Sequence, residues 1–401
     1  MEKRTEAHLS TIRQGDVVAL VGDFDAQSIS DLVALVDRGV ILVPLSAGTQ
    51  SDHEYFFETA SVDWVVSNGS VLRRQQVGSH RLLEELKNRE HSGLILFSTG
   101  TTGRPKAILH DMTMFLRRFS TPRPTLRTLS FLMFDHIGGI NTLFHTLFNG
   151  GVVIVPPDRS VQGVLAMCSD HNVEVLPTTP TFLRLMLLSG LVLEAIPKSV
   201  KVITYGTERM DQPTLSELCK QLPDVDFRQT YGMSELGILR VKSRSRDSLF
   251  MHVGGEGVEI RVDEGVLKIR SETRMLGYLN SESPFDQDGW YDTRDLVEQS
   301  GEFVKIIGRT TEVINVGGLK FVASEVERVA LEYPGIAMVQ VFPKDNPVTG
   351  QHCELTAMMV DGCELNLAEF KSYLKAKLPS HMVPLRIREG AVVVNHRFKR
   401  V

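Results

Sequence analysis

The sequence predicts an α/β protein with a large N-terminal domain of βα-alternating sheets that carries a small β subdomain, followed by a small mobile α+β C-terminal domain. Three observations predict it. Short β-branched runs alternate with helical patterns from Gly15 onward, short strands with glycine turns replace that alternation after about Ser248, and a mixed pattern follows Arg309. Near-continuous apolar strands separated by helices indicate parallel sheets covered on both faces, because such strands have no solvent face to alternate with.

The elements follow in order. GDVVALVG reads as a strand, ISDLVALVDRG as a helix, VILVPL as a strand, HEYFFETAS as a helix, VDWVVSN as a strand, RLLEELKN as a helix and GLILFSTG as a strand. After a glycine-rich segment the alternation resumes with LSFLMF, the helical INTLFHTLFNGG, the strand VVIVPP, a helix around Val164 to Ser169, the strand VEVLPTT, the helical FLRLMLLSG and the strand KVITYG. VGGEGVEIRVDEGVLKIRSET reads as antiparallel strands. Beyond Arg309, KFVASEVERVALEY reads as a helix, MVQVFP and CELTAMMV as strands, and LAEFKSYLKAKL as a second helix. With no low-complexity linker, the boundary falls at a short hinge near Gly308 to Thr311, separating residues 1–308 from 309–401.

A chain of 401 residues is long enough for two domains with real cores. Hydrophobic residues make up 42% and charged residues 23%, as in ordinary globular proteins. A net charge of -5 argues against nucleic acid as a partner. The polar N-terminus and the absence of a long apolar run argue against secretion and membrane insertion. Cys168, Cys219, Cys353 and Cys363 are too scattered for a zinc site or a disulfide framework, which fits a reducing cytoplasm.

Chemistry concentrates in Ser98 to Lys106, STGTTGRPK. Small residues let backbone N–H groups approach phosphate oxygens, hydroxyls of Ser98, Thr99, Thr101 and Thr102 add donors, and Lys106 adds charge. The loop follows LILF and precedes ILHDMTMFLRRF, which reads as helical, so a strand-to-helix loop is expected. It is not a Walker loop, in which the lysine directly follows a glycine.

The string Thr99-Gly100-Thr101-Thr102-Gly103-Arg104-Pro105-Lys106 closely resembles the phosphate loop of the adenylate-forming, AMP-binding superfamily of acyl- and aryl-CoA synthetases, nonribosomal-peptide adenylation domains and luciferases. Further segments match in that family's order. They are TYGMSELG (Thr230 to Gly237), GWYDTRDL (Gly289 to Leu296), the hinge-like GRTTEVINVGGLKFVASEVE (Gly308 to Glu327) and LPSHMVP (Leu378 to Pro384). The resemblance covers roughly Gly15 to the end and is nearest to the acyl- and aryl-CoA ligases. It departs from the family at Ser234, Arg294, Thr311 and Phe398, and in a shortened N-terminus.

The resemblance implies an ATP-dependent carboxylic acid ligase that forms an acyl-adenylate, releases pyrophosphate and transfers the acyl group to a thiol. It assigns nucleotide contacts to Ser98 through Gly103, Lys106, Gly206, Thr207, Glu208, Tyr231, Gly232, Met233, Ser234, Asp295 and Arg309. Glu235 would bind Mg2+, Tyr231 would face adenine, and Asp295 would accept from the ribose hydroxyls. Thr102, Glu235 and His136 would serve catalysis, with His136 gating the carboxylate site. A lysine near the C-terminus would stabilise charge at the α-phosphate. Lys399 takes that place on one alignment, and Arg397 on an alignment shifted by two. Gly317 and Gly318 would let a pantetheine arm pass, making coenzyme A the first acceptor; a carrier-protein phosphopantetheine thiol or an amine are the alternatives. Apolar surroundings of His136, Gly206 and Tyr231 suit an aryl, cyclic or medium-length acyl group. A reading from another class, a nucleotide or acyl-adenylate binding protein without turnover, draws on Arg294, Thr311 and Phe398.

Overall fold

The computed structural model describes residues 7–75, 78–98, 104–124, 126–191, 196–360 and 362–392. Strands β1 (Val17–Val21), β2 (Ile41–Leu45), β3 (Trp64–Ser67), β4 (Ser70–Arg73), β5 (Gly93–Phe97) and β6 (Ala107–Asp111) make up most of a seven-stranded sheet. Its centre is parallel, as β1 pairs with β2 and β3, and β2 with β5. Side-chain alternation explains why these strands read as continuous apolar runs. Val17 and Ala19 enter a core with Phe56 and Leu86, whereas Val18 and Leu20 enter another with Leu35 and Leu143.

The edges of this sheet are antiparallel, and here one expectation is corrected. ILHDMTMFLRRF does not begin as a helix: Ala107–Asp111 is β6, fully buried and paired antiparallel with β5 from Phe97↔Ala107 to Gly93↔Asp111. The helix that follows covers only Met112–Leu116. Residues 98–106 therefore span the two strands of a hairpin rather than joining a strand to a helix. A short apolar run buried on both faces has no diagnostic period, so only its partners reveal it as a strand.

Strands β7 (Arg127–Leu129), β8 (Val152–Ile154), β9 (Val175–Thr178), β10 (Val202–Tyr205) and β11 (Asp226–Gln229) form a second sheet, parallel at every pairing, in the order β11-β10-β9-β7-β8. Helices Val161–Asp170, Pro180–Leu188 and Gln212–Gln221 contribute to its core. LSFLMF is a strand only through Leu129. Phe131 packs in this sheet's core and Phe134 in the first sheet's, so the run bridges two cores instead of extending along one sheet.

Strands β12 (Tyr231–Met233), β13 (Gly237–Ser243), β14 (Met251–Gly254), β15 (Val258–Asp263), β16 (Val266–Ser271), β18 (Tyr291–Ser300) and β19 (Phe303–Arg309) build an antiparallel sheet, while β17 (Gly277–Tyr278) leaves it to pair with β6. This sheet begins at Tyr231, well before the expected change at Ser248. The last part of the chain has its own sheet of β20 (Val313–Val316), β21 (Leu319–Val322), β22 (Ile336–Asn346), β23 (Gly350–Met359) and β24 (Arg386–Glu389), with helices Ala323–Leu331 and Leu367–Lys377. Lys320–Val322 is strand, so the helix expected over KFVASEVERVALEY starts only at Ala323. Ile314, Val326, Leu355 and Phe370 belong to a separate core there, as expected for a small α+β unit. It meets the larger part where Arg184 donates to the carbonyls of Ala337 and Ile336 and where Arg209 pairs with Glu327 at 3.3 Å.

Candidate active site

The C-terminal ends of β9, β10 and β11 turn into loops at one edge of the second sheet, the edge at which parallel α/β sheets bind ligands. β10 is followed by Gly206, Thr207 and Glu208. A side chain at Gly206 would place its Cβ 2.1 Å from the Thr230 hydroxyl, so the neighbouring strand end requires glycine. Thr207 holds φ at 71°, a left-handed conformation that costs a β-branched residue about 1–3 kcal/mol. Its hydroxyl is buried without a hydrogen-bond partner among the described residues. Glu208 accepts the Thr181 N–H at 2.7 Å and so helps cap the helix Pro180–Leu188. Gly232 is equally constrained, since its Cβ would lie 2.4 Å from the Gly237 carbonyl.

A hydrogen-bonded triad, buried at Tyr231 and Asp295 and exposed at Arg309, lies beside this edge. The Tyr231 hydroxyl donates to Asp295 Oδ2 at 2.6 Å, and Arg309 Nε donates to Asp295 Oδ1 at 3.0 Å. Register explains the second contact, because Asp295 on β18 stands directly opposite Arg309 on β19. Asp295 is 3% exposed and Tyr231 7%. Burial first, and then the Asp295 charge, raise the phenol pKa of Tyr231, which keeps it protonated and donating. Arg294, just before Asp295, has φ of 59°, a conformation that glycine adopts without strain.

The phosphate end is built differently. Ser98 and Lys106 close the neck of the hairpin, with Ser98 N–H bonded to the Lys106 carbonyl and Lys106 N–H to Ser98 Oγ, both at 3.0 Å. Lys106 is exposed, and its ammonium sits 4.7 Å above the Tyr278 ring. The Tyr278 hydroxyl donates to Glu235 Oε1 at 2.7 Å. Just before Glu235, the Ser234 carbonyl accepts from His110 Nε2 at 2.5 Å. Burial lowers the His110 pKa to about 4, so the ring is a neutral donor. Tyr291 starts the strand that carries Asp295, and its ring lies 5.7 Å from that of Phe285, which packs against Tyr278. The two groups of residues are therefore linked through Tyr291 and Phe285.

Glu235 is half-buried, and apart from Tyr278 no side chain among the described residues hydrogen-bonds its carboxylate. Among those residues no group of three or more His, Cys, Asp or Glu could form a dedicated metal cage. A single carboxylate with one oxygen uncommitted fits Mg2+, which is commonly held by one or two carboxylates together with substrate phosphates.

Other expected residues lie elsewhere or outside the description. His136 caps the helix Ile137–Phe148, its Nδ1 accepting the Gly138 N–H at 3.0 Å. Gly317 and Gly318 form the exposed turn between β20 and β21, with φ of 61° and 90°. Their recorded hydrogen bonds run to Thr349 and Asn315 of the same small unit, and none reaches the cluster around Asp295. Met233 is half-buried on β12 beside Ser234. Thr99, Gly100, Thr101, Thr102, Gly103, Arg397 and Lys399 lie outside the described residues. Sequence reasoning missed Tyr278, His110, Asn280 and Tyr55. Asn280 Oδ1 accepts the Ala107 N–H at 2.9 Å, and its amide donates to the Pro105 carbonyl and to the Tyr55 hydroxyl. No local pattern announces these residues, because each acts across a separation in sequence.

Known proteins agree with this architecture. The chain is 24% identical to 2-succinylbenzoate–CoA ligase of Bacillus subtilis over 430 aligned residues, covering 96% of this chain and 86% of the relative. Against several other curated relatives the match spans 62–65% of their length. Among solved structures, the anthranilate CoA ligase AuaEII in complex with anthranoyl-AMP superposes with a TM-score of 0.82 at 17% identity, over 100% of this chain and 89% of that one. The amide bond synthetase McbA from Marinactinospora thermotolerans gives 0.78 at 16% identity, over 100% and 91%. These likenesses give the fold of adenylate-forming enzymes, with a large N-terminal and a small C-terminal domain. Residues 7–279, more than half of the sequence, match the family described as AMP-binding enzyme, and the chain belongs to that family.

Proposed function

We propose that this protein is an ATP-dependent, AMP-forming acid–thiol ligase that joins a small carboxylic acid first to AMP and then to coenzyme A. The observation that carries this reading is the presence of two polar groups, the Tyr231–Asp295–Arg309 triad and the Lys106–Tyr278–Glu235 cluster, linked through the rings of Tyr291 and Phe285. Their chemistry suits a ribose at one end and phosphates at the other. Asp295 supplies an ionised acceptor for ribose hydroxyls, since each carboxylate oxygen keeps a lone pair beyond its present bond. Lys106 and the hairpin loop bind the outer phosphates, and Glu235 is the residue that would hold Mg2+. When bound, that ion would supply charge neutralisation on the phosphates.

In the first half-reaction a carboxylate oxygen of the acid bonds to the α-phosphorus, the bond from that phosphorus to the bridging oxygen breaks, and pyrophosphate leaves. In the second, a thiol sulfur bonds to the acyl carbon, AMP departs and the thiol proton is released. Negative charge on the reacting oxygens of the first step calls for a cation, and we assign that role to Lys399, carried by residues 309–401 as a small domain turning about a hinge near Gly308 to Thr311. We assign the acid pocket to the surroundings of His136, Gly206 and Tyr231, and the relatives' 2-succinylbenzoate, malonate and anthranilate favour a small aryl, cyclic or short acyl acid. A carrier-protein thiol is the second choice of acceptor and an amine, as in the amide bond synthetase, the third. The cytoplasm is the proposed compartment, supported by four unpaired cysteines.

A pyrophosphate-release screen over a panel of carboxylic acids, with and without coenzyme A, tests the reading. Release that depends on one class of acid and is stimulated by coenzyme A is the expected result. Release stimulated instead by an amine would replace the acceptor, and no release with any acid would leave a nucleotide-binding protein.

A further inference from the structure

The segment Met275 to Asn280 touches both charged poles of the phosphate end. Its backbone bonds to β6 on one side, with Leu276 N–H to the Leu109 carbonyl at 2.8 Å and Leu279 N–H to the Ala107 carbonyl at 2.9 Å. Asn280 secures the exit of the phosphate hairpin through Pro105 and Ala107. At the other end of the segment the Met275 N–H bonds to the Glu235 carbonyl at 2.8 Å. Tyr278, in the middle, places its ring beneath the Lys106 ammonium and its hydroxyl on the Glu235 carboxylate.

We propose that Tyr278 is a positioning residue that fixes the Glu235 carboxylate relative to the Lys106 ammonium, so that the cation-binding oxygen and the phosphate-binding amine are held at a set spacing before ATP arrives. The proposal rests on the ATP-site reading above. Tyr278 touches no reacting atom; it acts through Glu235 and Lys106. Its ring is 6% exposed and packed with Ile108, Met275 and Phe285, so its rotamer is held by a small core of its own. The hydroxyl consequently has a defined direction, and a carboxylate accepting from a fixed donor has lost much of its rotational freedom. Without that bond Glu235 would sample other rotamers, and the ion would have to order it on binding.

The test uses the full chain and Mn2+ as the metal probe. Titrating Mn2+ into the protein–ATP complex, followed by electron paramagnetic resonance, gives the metal affinity; calorimetry of ATP binding with chelator present gives the affinity without metal. Tyr278→Phe keeps the ring and removes the hydroxyl, and should weaken Mn2+ binding by about tenfold, the usual effect of losing an outer partner of a metal ligand. Metal-free ATP affinity should be unchanged. Tyr278→Leu removes the ring as well, and should also weaken metal-free ATP binding by about threefold through the loss of the Lys106 stack. Unchanged Mn2+ affinity in Tyr278→Phe, with or without a lower melting temperature, would leave Tyr278 a packing role only and overturn the proposal. Failure of the unaltered protein to bind Mn2+ in the presence of ATP would instead overturn the ATP-site reading, and this one with it.

Discussion

Asp295 at one end of the site has a protein partner for each carboxylate oxygen and almost no solvent, whereas Glu235 at the other end has one partner, and the cation facing it, Lys106, stands in solvent. The first end is assembled before any ligand binds, and its Tyr231–Asp295 bond is worth more for being dry, while Arg309 reaches Asp295 from solvent. The second end leaves charge exposed, as suits groups whose partner is a highly charged ligand that comes and goes. Damage at the Asp295 end should therefore unfold and inactivate together, while damage at the Glu235 end should leave the fold intact and change only ligand and metal binding.

Asp295→Ala is expected to have the largest effect. It strands a buried phenol and a guanidinium, and should lower stability by about 3 kcal/mol in denaturant unfolding while abolishing ATP binding in calorimetry. Full stability in this variant would break the contrast. Glu235→Gln comes next: the magnesium concentration for half-maximal pyrophosphate release should rise by roughly tenfold, with an unchanged melting temperature.

His110→Gln sharpens the contrast from the side of pH. His110 is neutral in the fold with a pKa of about 4, whereas an unfolded histidine titrates near the ordinary 6.5. The unfolded chain therefore binds the extra proton first, and stability falls as pH drops from 6.5 towards 4. The Gln variant should lose less stability across that window in pH-dependent unfolding, and an equal loss would exclude His110 as a source of the slope. The smallest effect is expected from Lys305→Ala. Glu298 and Lys305 face each other across the same two strands as Asp295 and Arg309, at the same distance of 3.0 Å, but the Glu298 carboxylate is exposed where Asp295 is buried. Loss of that pair should cost no more than about 0.5 kcal/mol, so burial of the carboxylate and not pairing distinguishes the two sites.

Most of the fold was legible in the sequence because its strands alternate with long helices, and patterns such as ISDLVALVDRG and RLLEELKN become helices Ala26–Asp37 and Arg81–Asn88. What was misread lies where one apolar run has two solutions: AILHD became a strand through its partners β5 and β17, and LSFLMF a bridge between cores. The Asp295 end was legible because its three residues sit in recognisable segments. Tyr278 and His110 were not, since a lone tyrosine or histidine acquires a role only when the fold delivers Glu235 and Ser234 to it. Arg294, a departure from the family pattern, and Thr207, one of the implied nucleotide contacts, both prove to occupy left-handed backbone positions, a feature no side-chain pattern reports.

The most direct measurement is acid-dependent exchange of labelled pyrophosphate into ATP, without any thiol or amine. The account predicts exchange that requires magnesium and a small carboxylic acid, and that is lost in Lys399→Ala while that variant still converts supplied acyl-AMP to thioester. Tight ATP binding with no exchange for any acid in the panel would contradict it.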